Sequence, residues 1–205
     1  MLLQDTIGIY PNALSNELCD QVIKIYETAL AKKLTRAGST GMGAGVKNIK
    51  DSEDFNLLEL SSLDQNVSNT CNILYDVFNT YIMKLLNGMP HQDKFSGNQN
   101  FTEPTTFEIL QVQRYKKNEG HYNAWHHEHG TFKMSRRYFV LLAYLNDVEE
   151  GGETEMLYTG QKIKPEKGKL LLHPASFPYV HKGNMPLSED KTILISWLVF
   201  VNNNR

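Results

Sequence analysis

The chain has 205 residues, of which 40% are hydrophobic and 21% charged, and its formal net charge is −2. That length is typical of one globular domain with its own apolar core, and the composition excludes a disordered or a fibrous chain. Because the net charge is slightly negative, the sequence predicts no basic surface for nucleic acid or for an anionic membrane. We therefore expect a globular protein that binds neither.

Cysteine usage and apolar runs indicate where the protein resides. Cys19 and Cys71 each occupy an apolar position of a helical pattern, so buried thiols are expected rather than a disulfide. The longest apolar run, 139–145, is much shorter than a membrane span. The first residues, 1–5, lack the basic end and apolar stretch of a signal peptide. Together these features predict a cytoplasmic protein.

The first half of the chain, residues 1–103, is predicted to be mainly a helical support region. Residues 7–10 favour a short strand, after which Ser15 is a suitable N-cap for a helix. That helix is indicated by apolar residues at a 3.6-residue period, namely Leu18, Val22, Ile25, Tyr26 and Ala29. The same period predicts a second, longer helix from Leu63 to Leu85, ended by residues 87–90.

A glycine-rich stretch, residues 38–45, lies between the two predicted helices. It lacks the Gly-Lys-Ser/Thr ending that a phosphate-binding loop needs before its helix. We therefore expect a flexible loop there, with a lid over an active site as the alternative.

The second half, residues 104–203, follows the polar stretch 91–104 and is predicted to be all-β. Short segments rich in branched and aromatic residues predict strands at 107–115, 138–145, 154–157, 169–173, 179–182 and 192–201. Short strands of this kind favour a barrel or a jelly roll with the helices packed outside. We expect an α+β fold in which residues 1–205 form a single domain.

Candidate metal ligands are concentrated in one segment, where four of the seven histidines flank a glutamate: His121, His126, His127, His129 and Glu128. In extended backbone, residues two apart share a face, so His126 and Glu128 can converge while His127 points away. His127 and His129 form a rival pair on the opposite face. A third ligand is available in His181, near the last predicted hairpin. Two imidazoles and one carboxylate form the facial triad of non-heme Fe(II), which leaves coordination positions open for catalysis.

A basic residue follows the third candidate ligand. Lys191 lies ten residues after His181, at the start of the last predicted strand. A hairpin return would bring its ammonium group into a pocket beside the metal, although a lysine at a strand start is more commonly a solvated edge charge.

From Leu110 to Phe200 the chain resembles the catalytic core of the prolyl 4-hydroxylase branch of the Fe(II)/2-oxoglutarate dioxygenases. The residues that carry the resemblance occur in the order of the family, with most spacings matching: Arg114-Tyr115, Gly120-His121-Tyr122, His126-x-Glu128, Arg137, Tyr144-Leu145-Asn146, Gly151-Gly152-Glu153-Thr154, Pro165-x-x-Gly168, His181-x-Gly183, Lys191 and Trp197. Residues 12–20 also resemble the family's N-terminal strand-to-helix entry. An ordered set of motifs is more specific than any one of them alone.

The resemblance implies a double-stranded β-helix, the jelly-roll fold, with Fe(II) bound by His126, Glu128 and His181. It implies 2-oxoglutarate and O2 as cosubstrates, with ascorbate as a reductant. Lys191 matches the basic residue that binds the distal carboxylate of 2-oxoglutarate. Tyr115 matches a tyrosine that hydrogen-bonds the cosubstrate, and Thr154 lies in a strand expected to line the same pocket.

The acidic ligand position departs from the family, which usually has Asp where this chain has Glu128, and the tyrosine-to-histidine spacing is two residues longer. Glutamate supplies the same type of hard oxygen ligand. The resemblance implies hydroxylation of a prolyl residue in a peptide or protein, with Arg137 near the substrate and Tyr122, Trp125 and Phe132 as a candidate apolar surface. The alternatives are a hydroxylase of a free amino acid or small metabolite, and a jelly-roll module that binds metal without catalysis.

Overall fold

The structure is a computed structural model, and it describes residues 3–40, 43–44, 46–89 and 104–201. The α-helices are α1 (Asn16–Ala31), α2 (Leu58–Ser61) and α3 (Gln65–Gly88), and two short 3-10 helices cover Leu3–Thr6 and Lys133–Arg136. The strands are β1 (Gly8–Tyr10), β2 (Arg36–Ala37), β3 (Ser39–Thr40), β4 (Gly43–Ala44), β5 (Lys50–Asp51), β6 (Glu53–Asn56), β7 (Thr105–Phe107), β8 (Gln111–Tyr115), β9 (His121–His126), β10 (Arg137–Tyr144), β11 (Thr154–Met156), β12 (Lys162–Ile163), β13 (Leu170–Pro174), β14 (His181–Gly183) and β15 (Lys191–Phe200).

Helix α1 begins where the sequence predicts it. The Oγ of Ser15 accepts a hydrogen bond from the backbone N–H of Leu18 at 3.2 Å, which satisfies one of the free donors of the first turn. The buried face of the helix consists of Leu18, Cys19, Val22, Tyr26 and Ala29. Both Cys19 and Cys71 are buried free thiols, as the sequence predicts.

Helix α3 begins two residues later than predicted. The carboxylate of Asp64 caps the helix by accepting the N–H of Asn66 at 2.8 Å and of Val67 at 3.4 Å. Leu63 lies before this cap and is exposed, so it is not part of the buried face. The predicted end is confirmed, since α3 ends at Gly88. None of the described helices has both the length and the apolar character needed to cross a membrane.

Two antiparallel sheets form the jelly roll that the sequence predicts. The larger sheet has the strand order β1-β13-β10-β15-β8-β6-β2, with β7 paired to β15, and the smaller has the order β12-β11-β14-β9-β5. Residues of α1 and α3 pack against outward-facing residues of the larger sheet, such as Leu141, Leu172 and Leu194, to form the main core. The inward-facing Leu142, with Tyr144, packs instead between the two sheets.

Several strands differ from the prediction. The segment predicted at 107–115 is split into β7 and β8 by residues 108–110, and β12 was not predicted at all. The predicted boundary at 103/104 is also not where the sheets begin, because β1, β2 and β6 belong to the larger sheet and β5 to the smaller one. That residues 1–205 form a single domain stays a prediction.

The predicted glycine-rich loop is partly described. Its residues 39–40 and 43–44 form a small two-stranded sheet of β3 and β4, which the sequence did not predict. Residues 41, 42 and 45 lie outside the described part of the chain, as do residue 90 of the predicted helix end and residues 91–103 of the polar stretch.

Candidate active site

Three side chains, two from neighbouring strands and one from the segment after β9, meet between the sheets. His126 at the end of β9 is the register partner of His181 at the start of β14, and Glu128 lies two residues beyond β9. Ligand atoms of these three residues all lie within 4.8 Å of one another. The Oε1 atom of Glu128 is 3.8 Å from Nε2 of His126 and 4.0 Å from Nε2 of His181. In the described part of the chain this is the one such cluster of three or more histidine, cysteine or carboxylate groups.

Both histidines are oriented by their own backbone. Nδ1 of His126 donates to the carbonyl of Ala124 at 2.9 Å, and Nδ1 of His181 donates to that of Tyr179 at 3.1 Å. With the proton on Nδ1, the lone pair of each Nε2 faces the centre of the cluster. Burial lowers the pKa of His126 well below its usual range and lowers the pKa of His181 as well. The rings are therefore neutral at pH 7, as metal ligands must be.

The carboxylate of Glu128 has a second partner. Its Oε2 atom accepts a hydrogen bond from Nη1 of Arg137 at 2.8 Å. Arg137 also donates from Nε to Oε2 of Glu108 at 2.7 Å, and its guanidinium carbon lies 3.7 Å from the ring centroid of Trp197. The buried carboxylate is thus paired with a cation, as a buried charge requires.

Lys191 lies inside the cavity, as predicted, and only 2% of it is exposed. Its Nζ donates to the carbonyls of Gly152 at 3.0 Å and Asn184 at 3.3 Å, and it lies 4.7 Å from the ring centroid of Tyr115. Gly152 has φ +74°, a conformation that favours glycine. Burial lowers the pKa of Lys191 to about 8, while the charge of Glu153 acts in the opposite direction. The lysine still carries its charge at pH 7.

The two other predicted cosubstrate residues lie near this lysine. Tyr115 is the register partner of Lys191 across β8 and β15, and its hydroxyl donates to Oε1 of Gln113 at 2.7 Å. Thr154 is buried, and its Oγ1 accepts from the hydroxyl of Tyr144 at 2.6 Å. Both residues line the same cavity as the three-residue cluster.

The predicted apolar surface is only partly assembled. The ring of Tyr122 stacks on that of His126, with centroids 3.9 Å apart and planes 13° apart. Trp125 lines the cavity and is 40% exposed, with Nζ of Lys182 4.6 Å from its ring centroid. Phe132 is 97% exposed and does not line the cavity. Tyr122 and Trp125 therefore stay candidates for substrate contact, whereas Phe132 is not placed there.

Among the residues that the structure describes, the rival pair of His127 and His129 does not converge with a third ligand. Nδ1 of His127 accepts from the backbone N–H of His129 at 3.2 Å, and Nε2 of His129 donates to the carbonyl of Arg137 at 2.6 Å. His121 bonds the carbonyl of Glu119 through Nδ1 at 2.8 Å. These three histidines are engaged with the backbone instead.

Sequence reasoning missed a buried ion pair beside the cavity. Nζ of Lys50 lies 2.9 Å from Oδ2 of Asp54, and both side chains are almost completely buried. Asp54 also accepts from Ser52 at 2.7 Å and from Gln111 at 2.7 Å. Lys50 reaches the cavity because β5 pairs with β9, where its register partner is Tyr122. The local sequence is polar and carries no signal that this lysine is buried.

Sequence reasoning also missed a third histidine beside the cluster. The ring of His173 lies edge-on to that of His181, with centroids 4.8 Å apart. Burial lowers the pKa of His173 to about 3. Its Nδ1 donates to the carbonyl of Pro174 at 2.8 Å, and its Nε2 has no hydrogen-bond partner among the described residues. His173 belongs to the otherwise apolar strand β13, and no neighbouring residue indicates that its ring lies beside the cluster.

The donor set fits Fe(II). The triad offers two neutral imidazole nitrogens and one carboxylate in a cavity of about 410 Å³, large enough for a small organic ligand. Lys191, Tyr115 and Thr154 line the same cavity. Such a cavity can hold a metal and, next to it, an anionic ligand.

Comparisons with known proteins agree with this chemistry. Residues 110–199 match the sequence model of the 2OG-Fe(II) oxygenase superfamily. The match covers slightly less than half of the chain and coincides with the region in which the sequence resembles these oxygenases.

The chain is also similar in sequence to plant prolyl 4-hydroxylases. It is 33% identical over 116 residues to the probable prolyl 4-hydroxylase 9 of Arabidopsis thaliana, a match covering 45% of this chain and 40% of that protein. The chain thus spans less than half the length of this relative.

Solved structures share the fold. A Trichoplax adhaerens prolyl hydroxylase in complex with a hypoxia-inducible-factor peptide aligns with a TM-score of 0.73 and 15% identity, over 96% of this chain and 84% of that one. The viral collagen prolyl hydroxylase of Paramecium Bursaria Chlorella virus-1, in its 2OG complex, aligns with a TM-score of 0.61 and 20% identity, over 96% and 97%. At these identities the comparison establishes the jelly-roll fold.

Proposed function

We propose that the protein is an Fe(II)- and 2-oxoglutarate-dependent dioxygenase that hydroxylates a prolyl residue in a peptide or protein. The observation that carries the proposal is the placement of His126, Glu128 and His181 in one cavity with the buried ammonium of Lys191. A metal with a purely structural role has no need of a buried cation in the same cavity. The prolyl substrate is inferred from the prolyl hydroxylase relatives.

His126, Glu128 and His181 would hold the metal. Bound Fe(II) would supply dioxygen activation coupled to decarboxylation of 2-oxoglutarate, so that one oxygen atom enters the substrate C–H bond and the other enters succinate, with release of CO2. The protein orients the two imidazoles through their Nδ1–H bonds, which removes the need to reorganise them when metal binds.

Lys191 would bind the distal carboxylate of 2-oxoglutarate. Two of its three N–H groups are directed to backbone carbonyls, which hold the ammonium in place and leave one donor for the ligand. Tyr115 and Thr154 would complete this end of the cavity. The role of such an ion pair in a dry pocket is mainly to orient the cosubstrate.

The remaining parts of the proposal rest on the family resemblance or on the sequence alone. These parts include ascorbate as the reductant, which the resemblance implies, and a cytoplasmic location, which the sequence predicts. They also include contact of Tyr122 and Trp125 with the substrate. A peptide partner is supported by the Trichoplax adhaerens structure, whose protein is in complex with a peptide.

Two measurements test the proposed function. Anaerobic addition of Fe(II) and 2-oxoglutarate should produce a weak visible charge-transfer band, which a module that binds metal without the keto acid would lack. In air, proline-containing peptides should gain one oxygen atom by mass spectrometry, with stoichiometric succinate. Oxygen gain by free amino acids in place of peptides would reassign the substrate.

Variants test the ligand assignment in the same assay. His126→Ala, Glu128→Ala and His181→Ala should each abolish succinate formation, because each removes one of three protein donors. His127→Ala should retain it, since that ring is bonded to the backbone outside the triad. The reverse pattern would show that the rival histidine pair binds the metal.

A further inference from the structure

The two carboxylate oxygens of Glu128 face different partners. Oε1 is directed at the two Nε2 atoms, at 3.8 Å and 4.0 Å, while Oε2 accepts from Nη1 of Arg137 at 2.8 Å. We propose that Arg137 is a positioning residue for the metal site, which holds Glu128 as a ligand through one oxygen only. This inference rests on the metal site of the proposed function, but it requires neither 2-oxoglutarate turnover nor a prolyl substrate.

Arg137 is itself held by three elements of the fold. It begins strand β10, its Nε donates to Glu108 between β7 and β8, and its guanidinium lies over Trp197 of β15 at 3.7 Å. Only 11% of its side chain is exposed. A planar guanidinium with two charge-assisted hydrogen bonds and a stacked aromatic ring has little freedom to swing toward a substrate.

The length of the glutamate explains why such a positioning residue is useful. Glutamate has one more rotatable bond than the aspartate usual in the family, so its carboxylate has more rotamers to lose when it binds a metal. The backbone N–H of Glu128 is fixed by the carbonyl of Ala175 at 2.9 Å. Arg137 fixes the other end of the side chain, which leaves Oε1 facing the histidines before any metal arrives.

Binding through one oxygen also controls the number of open coordination positions. Three protein donor atoms would leave a bound Fe(II) ion with open positions for a bidentate ligand and one further molecule. A glutamate that used both oxygens would occupy one of these positions. By engaging Oε2 in a charge-assisted hydrogen bond, Arg137 disfavours that arrangement.

Metal affinity of the otherwise intact protein tests the proposal. Metal-free protein is titrated with Mn(II) in the absence of 2-oxoglutarate, and the Kd is measured by calorimetry. Arg137→Met should weaken Mn(II) binding by roughly 10–100-fold, the range typical for loss of a group that orients a metal ligand. Arg137→Lys keeps the charge but not the planar guanidinium with its several donors, so it should recover part of the lost Mn(II) affinity.

The neighbouring arginine provides a matched control. Arg136 is 45% exposed and lies 3.7 Å from Glu108, without contact to Glu128. Arg136→Met should leave the Mn(II) Kd unchanged within twofold. Circular dichroism and the Tm of each metal-free variant establish that it is folded under the conditions of the titration.

A double-mutant cycle separates positioning from general charge or folding effects. Glu128→Asp withdraws the carboxylate from Arg137. Arg137→Met should therefore weaken Mn(II) binding clearly less in the Glu128→Asp background than in the wild type. An equal loss in both backgrounds would overturn the proposal, as would an unchanged Mn(II) Kd in Arg137→Met. A raised KM for substrate with unchanged metal affinity would also overturn it and assign Arg137 to substrate binding.

Failure of this proposal is distinguishable from failure of the proposed function. If no substrate is hydroxylated but Mn(II) affinity depends on Arg137 as described, the positioning role stands and the dioxygenase assignment does not. If peptides are hydroxylated while the Kd for Mn(II) is independent of Arg137, the dioxygenase assignment stands and the positioning role does not.

Discussion

The two faces of the larger sheet have opposite chemistry. On the outer face, Leu141 and Ala143 pack with residues of α1 and α3 in an apolar core. On the inner face, Leu142 and Tyr144 pack between the sheets, and the cavity beside them contains Lys191 and the three-residue triad. Because alternate residues of a strand point to opposite faces, a single strand, β10, contributes to both environments.

This difference indicates that the two faces have different roles, stability for the outer face and the candidate active site for the inner face. Burial of apolar area is the dominant favourable term in folding, so the outer face stabilises the protein. The inner face buries polar and charged groups, which costs free energy unless each group has a partner. Substitutions on the two faces should therefore have different consequences, and the following experiments compare them.

The largest expected effect is on the inner face, at the ion pair of Lys50 and Asp54. Lys50→Met should lower the free energy of unfolding by about 3–5 kcal/mol, because it leaves the buried carboxylate of Asp54 without its cation. Urea denaturation measures the change. In the Asp54→Asn background, which retains an acceptor oxygen without the charge, Lys50→Met should lower the free energy of unfolding much less. An equal loss in both backgrounds would mean that the lysine stabilises through packing alone.

A smaller and more selective effect is expected from two adjacent leucines on opposite faces. Leu141→Ala should lower the free energy of unfolding by about 2–5 kcal/mol through the cavity it creates, and leave the Kd for 2-oxoglutarate in the Mn(II)-loaded protein unchanged. Leu142→Ala enlarges the cavity of the candidate active site and should weaken 2-oxoglutarate binding. Equal effects of both variants on the Kd would contradict the division between the faces.

The smallest effect concerns the charge of Lys191. Since its pKa is about 8 in the folded protein, the affinity of the Mn(II)-loaded protein for 2-oxoglutarate should fall about tenfold from pH 7 to pH 9, as the ammonium loses its proton. Calorimetric titration at several pH values measures the trend. Lys191→Arg stays charged across this range, so its affinity should be far less dependent on pH.

The same lysine predicts how stability changes with pH. Its pKa is lower when folded than the ordinary 10.5, so between pH 8 and 10.5 the unfolded chain binds more protons. This group therefore raises the free energy of unfolding as pH increases through that window, and the penalty of burying its charge applies in full below pH 8. Comparison of wild type with Lys191→Met across the window isolates the contribution.

Much of the fold was predictable because local patterns are strong there. Ser15 and the apolar period behind it predicted α1, and the later branched residues predicted most strands of the sheets. The strand at residues 7–10 was predicted and is present as β1, whereas the split between β7 and β8 and the strands within residues 36–56 were missed. Short strands such as β2 and β5 have two residues each, and they form only because a neighbouring strand offers hydrogen-bond partners.

The candidate site was predictable to the extent that its residues share a motif. His126, Glu128, His181 and Lys191 were named from spacing and from the family resemblance, and the structure brings them into one cavity. Lys50, Glu108 and His173 were not predicted, because their positions follow from strand pairing and packing between distant segments. A polar side chain carries no local sign that it will be buried.

The sequence by itself determined the identities of the candidate donors, the alternation that separates His126 from His127, and the order of the two long helices and of most later strands, since these depend on neighbouring residues. Only the tertiary structure decided that Arg137 contacts Glu128, that Trp197 covers the guanidinium, and that Lys191 is almost fully buried. Those contacts join residues far apart in the chain or across a turn, and they arise from the closure of two sheets over one cavity.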